Sequence, residues 1–387
     1  MYTPNRLPYL LALRVLVPIL VLGAACVVQG QNMQTNVIPS AVGPLDTTGH
    51  QDRLIQKFNQ AFGAQLMSNS NLWEEDGDKV GKRLGWDKDS VSSFRPHDSQ
   101  SLLYNPENKS VNCLGAHAYS SALYTRQGKP DYLSIVFANN GDSTNPSDAI
   151  PQDSRTLHDL LTSLLGAPTT STYGGSAQIP VERWNWNTTS ILLTKAPSYA
   201  GIIICPTKFA DDQGVRQVTI TDEVRKRLVK NVVRSTNGDV VIQNIPFVDQ
   251  GRKGYCLPAT WERYLRYIDV PADIYLIAVV VHTAPDGATS GGQKMRDWMQ
   301  AFLNGYGIHV THINQEMSIA NLSPYIDRGM PVVWMCTLYG GHSRLIVGYN
   351  AATQSLAVSD TFDGGTYQWI SIQTANDISL NGMAILE

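Results

Sequence analysis

Apolar positions along this chain predict helices and strands in two successive blocks. In the first, Leu54, Phe58, Phe62 and Leu66 recur at helical spacing and predict an amphipathic helix over residues 51–66. A second short helix is expected over 80–84, stopped by Gly85. Apolar or alternating runs bounded by turn residues follow at 101–104, 111–114, 118–124 and 132–138. Gln127-Gly128-Lys129-Pro130 marks a hairpin turn between the last two. A helix over 157–165, stopped at Gly166, then precedes strands at 181–186, 189–194 and 200–205. Helix followed by strands thus occurs twice, over 51–138 and 155–205, which has the pattern of a duplicated α+β unit with little residue identity between its halves.

The second block begins after a change of character at 206–240. A basic helix is expected over 224–233, capped by Thr221-Asp222-Glu223, with Arg225, Lys226, Arg227 and Lys230 on a solvated face. Leu257, Trp261, Tyr264, Leu265 and Ile268 then fall on one face of a helix, with Pro258 tolerated in its first turn. Residues 273–282 are apolar and fit either a helix or a strand. A helix through Met295, Trp298, Met299, Phe302 and Leu303 follows, then a strand at 308–313 and a helix at 319–326. Strands are expected at 331–338, 342–349, 355–359 and 365–372. Helices first and antiparallel strands later give an α+β fold. The expected organisation is a linker over 31–50, an N-terminal α+β domain over 51–215, and a second α+β domain over 216–387.

Composition adds a compartment and removes some partners. The 387 residues carry a formal charge of −3 with acids and bases mixed, so nothing points to nucleic acid. Arg6 and the apolar run over 15–28 have the form of a cleaved signal over 1–30. The run is short for a membrane span, so no stable span is expected in the mature chain. That places the protein outside the cytoplasm, secreted or in the cell envelope, with a lipid-bearing Cys26 as the lesser reading. Asn108, Asn187 and Asn321 head N-x-S/T sites that matter only in a glycosylating host. Cys113 and Cys205 fit either a disulfide or two small buried hydrophobes. There is no CxxC pair, and His309 and His312 on one strand point to opposite faces, so no metal and no cofactor is expected.

The chemistry centres on residues 248–261. Cys256 follows a loop with glycines at 251 and 254 and stands at a helix N-terminus, where unpaired N–H groups and the dipole favour a thiolate. Among the histidines, His342 stands out: Gly340 and Gly341 precede it and an apolar strand follows. The midpoint between His342 and Asp360 is residue 351, inside the polar turn 350–354, so hairpin pairing brings the carboxylate beside the imidazole. There it orients the ring and stabilises its protonated form; read structurally, His342 caps a strand and Asp360 starts a turn. Gln250, six positions before the cysteine, supplies an amide that can fold back as an oxyanion donor, or else is a polar loop residue.

Gln-Gly-x-x-Gly-x-Cys, a helix with an early Trp, and Gly-His before an apolar strand ending in Gly-Tyr together resemble the papain-like cysteine peptidases. Asp in place of Asn as third member and a short C-terminal domain are similar to the branch that processes bacteriocin leaders and its secreted relatives. The resemblance covers residues 240–387. It implies a papain-like domain, with the cysteine-bearing helix packed on an antiparallel sheet and preceded by a separate α+β domain. Cys256 would be nucleophile, His342 base and acid, Asp360 the orienting residue, Gln250 the oxyanion donor, and a peptide or protein the substrate. The chain departs from papain where Leu257-Pro258-Ala259-Thr260 intervenes before Trp261. Two other activities stay open: acyl transfer of the transglutaminase kind on the same fold, and a binding protein whose catalytic fold is idle. The role of the first two hundred residues stays open as well: inhibition, recognition or anchoring.

Overall fold

The computed structural model describes residues 47–387 except 91–92, 97–110, 216–219, 249, 251–253, 271, 285–288, 290–291 and 363–365. The expected signal over 1–30, the run 101–104 and Asn108 lie outside the described residues, as does the linker 31–50 apart from its last four positions.

In chain order the first half forms α1 (Thr47–Phe62), α2 (Gly77–Leu84), β1 (Trp86–Ser90), β2 (Ser93–Pro96), a small hairpin of β3 (Val111–Cys113) and β4 (Ala116–Ala118), β5 (Ser120–Arg126), β6 (Lys129–Asn139), α3 (Pro146–Leu165), β7 (Thr169–Tyr173), β8 (Ile179–Trp186), β9 (Thr189–Thr194) and β10 (Tyr199–Pro206). Eight of these strands make one antiparallel sheet in the order β1-β2-β5-β6-β10-β9-β8-β7. The expected hairpin turn is a two-residue one: Arg126 pairs with Lys129, and Gln127 and Gly128 both take positive φ, as a turn matched to strand twist requires. The helix expected over 51–66 ends at Phe62, where Gly63 adopts φ +81°. Helix α3 begins at Pro146 rather than at 157, with a proline in its first turn. Strand β7, Thr-Thr-Ser-Thr-Tyr, was not expected; it is a largely solvated outer strand with no apolar signal.

The second half forms α4 (Thr207–Asp211), α5 (Asp222–Lys230), β11 (Val232–Arg234), β12 (Asp239–Ile242), α6 (Cys256–Tyr267), α7 (Ile274–Val280), α8 (Gln293–Asn304), β13 (Val310–Ile313), α9 (Ile319–Ile326), β14 (Val332–Cys336), β15 (His342–Asn350), β16 (Ser355–Ser359), β17 (Tyr367–Ser371), α10 (Ile372–Asp377) and β18 (Ser379–Leu386). A second antiparallel sheet runs β11-β12-β15-β14-β18-β13, with β16 on β15 and β17 on β16. The apolar stretch 273–282 resolves as a helix because Asp273 caps it: its carboxylate accepts from the N–H groups of Tyr275 and Leu276 at 3.0 and 2.8 Å. Helix α10 and strand β18 were not foreseen.

The first sheet is buried on both faces, which is why its central strands read as continuous apolar runs. Along β6, Leu133, Ile135 and Phe137 pack with residues of α1–α3, while Tyr132 and Val136 join the core shared by α6–α8 and the second sheet. Strands β9 and β10 alternate the same way. Helices α6–α8 therefore lie between the two sheets. Polar bonds cross this layer: Tyr124 Oη donates to the Ala272 carbonyl at 2.7 Å, Tyr275 Oη to Asp142 at 2.7 Å, and Arg95 pairs with Glu262 at 2.9 Å.

Cys113 and Cys205 are free thiols in different cores, on opposite sides of the first sheet. Of the two readings of this pair, buried hydrophobes is the one the structure adopts. Burial pushes the Cys113 thiol up to about 12. Among the described residues no helix is long and apolar enough to cross a membrane.

Candidate active site

Helix α6 starts at Cys256 itself, with Tyr255 as a cap that offers no side-chain bond. The cysteine is half-buried, whereas the remaining residues of the helix are buried. Its sulfur therefore sits at the first helical position, where several backbone N–H groups have no partner within the helix.

His342 opens β15. The turn before it contains Tyr339 at φ +54° and Gly340 and Gly341 at φ +83° and +137°, so the chain doubles back sharply and sets Cys336 opposite His342 in the β14–β15 ladder. His342 is 2% exposed. Its Nε2 lies 2.8 Å from Asp360 Oδ1. Cys256 faces the imidazole closely enough for its side chain to act on the ring and raise its pKa. With Nε2 engaged by the carboxylate, Nδ1 is the nitrogen left to serve the sulfur. Burial alone would lower the His342 pKa. The hydrogen bond to Asp360, the Cys256 side chain and the charges of both outweigh it and lift the group to about 9. Asp360 shifts the other way. Burial opposes its charge, but His342, the Arg344 guanidinium and the Thr361 N–H together hold the carboxyl below its ordinary value.

The β15–β16 register pairs Leu345 with Ser359. Continued by one residue, it sets Asp360 against Arg344, two positions beyond the histidine that the midpoint reading had paired with it. The carboxylate reaches both: Oδ1 meets His342, and Oδ2 lies 2.8 Å from Arg344 Nε.

Gln250 is buried and tied to the same row. Thr361 Oγ1 donates to Gln250 Oε1 at 2.6 Å, and the Gln250 N–H reaches the Thr361 carbonyl at 3.4 Å. Fixing the amide oxygen turns the donor end of the amide, Nε2, the other way. Thr361 also gives its own N–H to Asp360 Oδ1 at 2.6 Å. His342, Asp360, Thr361 and Gln250 thus form one hydrogen-bonded sequence with Cys256 beside the imidazole, so all four residues singled out from the sequence come together here.

Several neighbours were not anticipated. Arg263, fully buried on α6, donates to the carbonyls of Pro246 and Asp360 at 3.0 and 2.9 Å and to Ser359 Oγ at 2.6 Å. It thereby ties the Gln250 loop and the Asp360 turn to the cysteine helix. Burial lowers its pKa to about 10, with the Asp360 charge acting the other way. Phe362 stacks on the His342 ring at 5.6 Å and 12°, and Tyr339, 83% exposed, meets that ring edge-on at 5.5 Å. The two aromatic rings screen the imidazole from solvent. Phe362 had a sequence signal, an aromatic two positions past Asp360. Arg263 had none, since a charged residue beside Glu262 on an amphipathic helix reads as part of its solvated face.

A cavity of about 170 Å³ lies between α6, α8 and the second sheet. Leu257 and Trp261 of α6, Met295 and Met299 of α8, Met335 of β14 and Met383 of β18 line it. Leu257 follows Cys256 directly, while Met335 pairs with Ser343, on the sheet face opposite to His342. Among the described residues no group of three or more His, Cys, Asp or Glu is placed to hold a metal ion.

Residues 242–379 match the model of the Peptidase_C39 like family. The matched span contains Gln250, Cys256, His342 and Asp360, and this part of the chain is a cysteine peptidase of the papain-like kind. No curated protein sequence matches the chain. Among solved structures, xylellain, a cysteine protease from Xylella fastidiosa, is similar at 13% identity over 45% of this chain and 91% of that one, with a TM-score of 0.27, too loose a likeness to carry an argument.

Proposed function

We propose that the protein is a secreted thiol hydrolase that cleaves peptide bonds with Cys256 as nucleophile, His342 as acid and base, Asp360 as orienting residue and Gln250 as oxyanion donor. The observation that carries this reading is the row itself: a cysteine at a helix start, facing an imidazole that a carboxylate holds at 2.8 Å.

In the first step the Cys256 thiolate attacks the scissile carbonyl and a carbon–sulfur bond forms. The oxyanion is met by the Cys256 backbone N–H and by Gln250 Nε2. His342, protonated, passes its proton to the leaving nitrogen as the carbon–nitrogen bond breaks. The neutral imidazole then takes a proton from water, the resulting hydroxide attacks the thioester, and collapse expels the thiolate. Substrate contact falls to the cavity lined by methionines. Its volume suits one bulky apolar side chain, since an engineered cavity of about 150 Å³ in another protein admits benzene. Unbranched thioethers adapt to such groups.

The test is hydrolysis of a mixed peptide library by the wild type and by Cys256→Ala, with iodoacetamide labelling of the wild type mapped by mass spectrometry. Cleavage lost in Cys256→Ala, with label on Cys256 and not on the buried Cys336, supports the proposal. Equal cleavage by both proteins, or a wild type that neither cleaves nor labels, would sink it.

A further inference from the structure

Asp360 carries a charge that a neutral orienting amide would not, and it is buried. In the reacting state the Cys256 thiolate and the Asp360 carboxylate are two negative charges facing one imidazolium. Arg344 is the residue that meets this excess. It stands two positions after His342 on the same face of β15, is 4% exposed, and places Nε 2.8 Å from Asp360 Oδ2. The contact is poorly aligned for a hydrogen bond, and Nε makes no other, so what joins the two groups is charge rather than direction. The direction of the Asp360 shift agrees, since the Arg344 charge is among its causes.

We propose that Arg344 is a positioning residue whose fixed charge cancels that of Asp360, so that Asp360 orients His342 as an amide would while still gripping the ring with a full carboxylate. The inference rests on the catalytic roles assigned above. With Arg344 in place, the charge of the carboxylate is matched by a guanidinium in contact with it, and the thiolate is left to face the imidazolium. Unbalanced, the carboxylate on Nε2 would stabilise the imidazolium so strongly that its Nδ1 proton would pass less readily to a leaving amine. The other charged and titratable groups facing Asp360 do not substitute. Arg263, from α6, feels the Asp360 charge, but its donors go to two main-chain carbonyls and the Ser359 hydroxyl, and the cation in direct contact with the carboxylate is Arg344. Cys336, from β14, is a buried thiol whose pKa burial raises, so it stays neutral.

The experiment is a double-mutant cycle over Arg344→Met and Asp360→Asn, read by His342 titration in NMR, by denaturant midpoint, and by the pH profile of kcat/KM on a cleaved peptide. The His342 pKa is expected to fall in the order Arg344→Met, wild type, double variant, Asp360→Asn. Arg344→Met exposes the imidazole to an uncompensated carboxylate, and Asp360→Asn exposes it to an uncompensated guanidinium. Each single variant is expected to lose about tenfold or more in kcat. The double variant, in which no charge is stranded, is expected to exceed both singles in kcat and in denaturant midpoint. The proposal is overturned if the two substitutions simply add, so that the double is the worst of the four, or if Arg344→Met leaves the His342 titration where it is. The NMR and stability arms need no catalysis, so they decide the pairing even if Cys256→Ala shows that the assigned chemistry is wrong.

Discussion

Thr361→Val isolates one atom of the site. The substitution keeps the side-chain shape and the backbone N–H that Asp360 Oδ1 accepts, and it removes the hydroxyl that holds Gln250 Oε1 at 2.6 Å. Leaving a buried acceptor without that donor costs about 1–3 kcal/mol. In the proposed mechanism the same bond selects which end of the Gln250 amide faces the carbonyl under attack. Loss of an oxyanion donor costs ~10²–10³ in kcat, which is the ceiling. An orienting bias of about 1–3 kcal/mol is worth roughly 5- to 160-fold, since each 1.36 kcal/mol is about tenfold in rate. The expected result is therefore a kcat lower by about one to two orders of magnitude with KM changed less than about twofold, because the donor acts on the transition state and not on bound substrate. Thr361→Ser, which restores a hydroxyl, is expected to recover most of the loss. Steady-state kinetics on a chromogenic peptide, with a thermal melt to confirm folding, gives both numbers. A folded Thr361→Val with wild-type kcat, or a Thr361→Ser as impaired as the valine variant, refutes the role given to the hydroxyl.

Three further outcomes are expected. Because the folded-state pKa of His342 is raised to about 9, its contribution to stability is complete below the ordinary histidine value of about 6.5 and is lost as pH rises through about 9. Activity should decline over the same alkaline range, and Asp360, lowered by its partners, should set the opposite limb, with its contribution lost as pH falls through its depressed value; melting temperature and kcat/KM against pH read both. Met299→Trp fills the cavity beside Leu257, so KM should rise about tenfold for substrates whose preferred side chain is Leu, Phe or Met and stay nearly constant for Ala in that place, a contrast measured with matched peptides. Glu262→Ala strips Arg95 of its carboxylate partner and leaves the fully buried Arg266 without the acid 3.4 Å away, so stability should drop by about 3–5 kcal/mol in urea or guanidinium titration.

How far this site was legible in the sequence depends on how local each signal is. Cys256, His342 and Gln250 announce themselves through their own flanks: a helix start, a pair of glycines, a loop position at folding-back distance. Asp360 needed only the length of one hairpin turn. Arg344 did not emerge, because midpoint counting treated the hairpin as a symmetric ladder. The actual register is offset toward Arg344 and shifts again between Ile346 and Gly348. Thr361 and Arg263 were invisible for a different reason: each acts on groups around a hundred residues away, and no periodicity records such a pairing. In the fold the losses follow the same rule. Strand β7 has too few apolar residues to register, and the start of α3 is masked by Pro146 and Pro151, which read as loop.

The amphipathic stripe found on residues 257–268 gave one face of α6 to a core, yet the helix is buried all round. Its polar residues explain how. Thr260 donates to the Ser343 carbonyl and Arg263 to Asp360 and its neighbours, so one side of the helix is bonded to the strand and turn that carry the histidine and the carboxylate. Glu262 and Arg266 face the other way, to Arg95 and Ser93 of β2, at 2.9 and 2.8 Å. A buried charge survives only where its partners come with it. The helix that presents Cys256 is therefore polar on two sides, and the first sheet completes its second side. The first half of the chain thus serves as a wall for the helix that begins at Cys256, joined to it through Arg95–Glu262 and Ser93–Arg266.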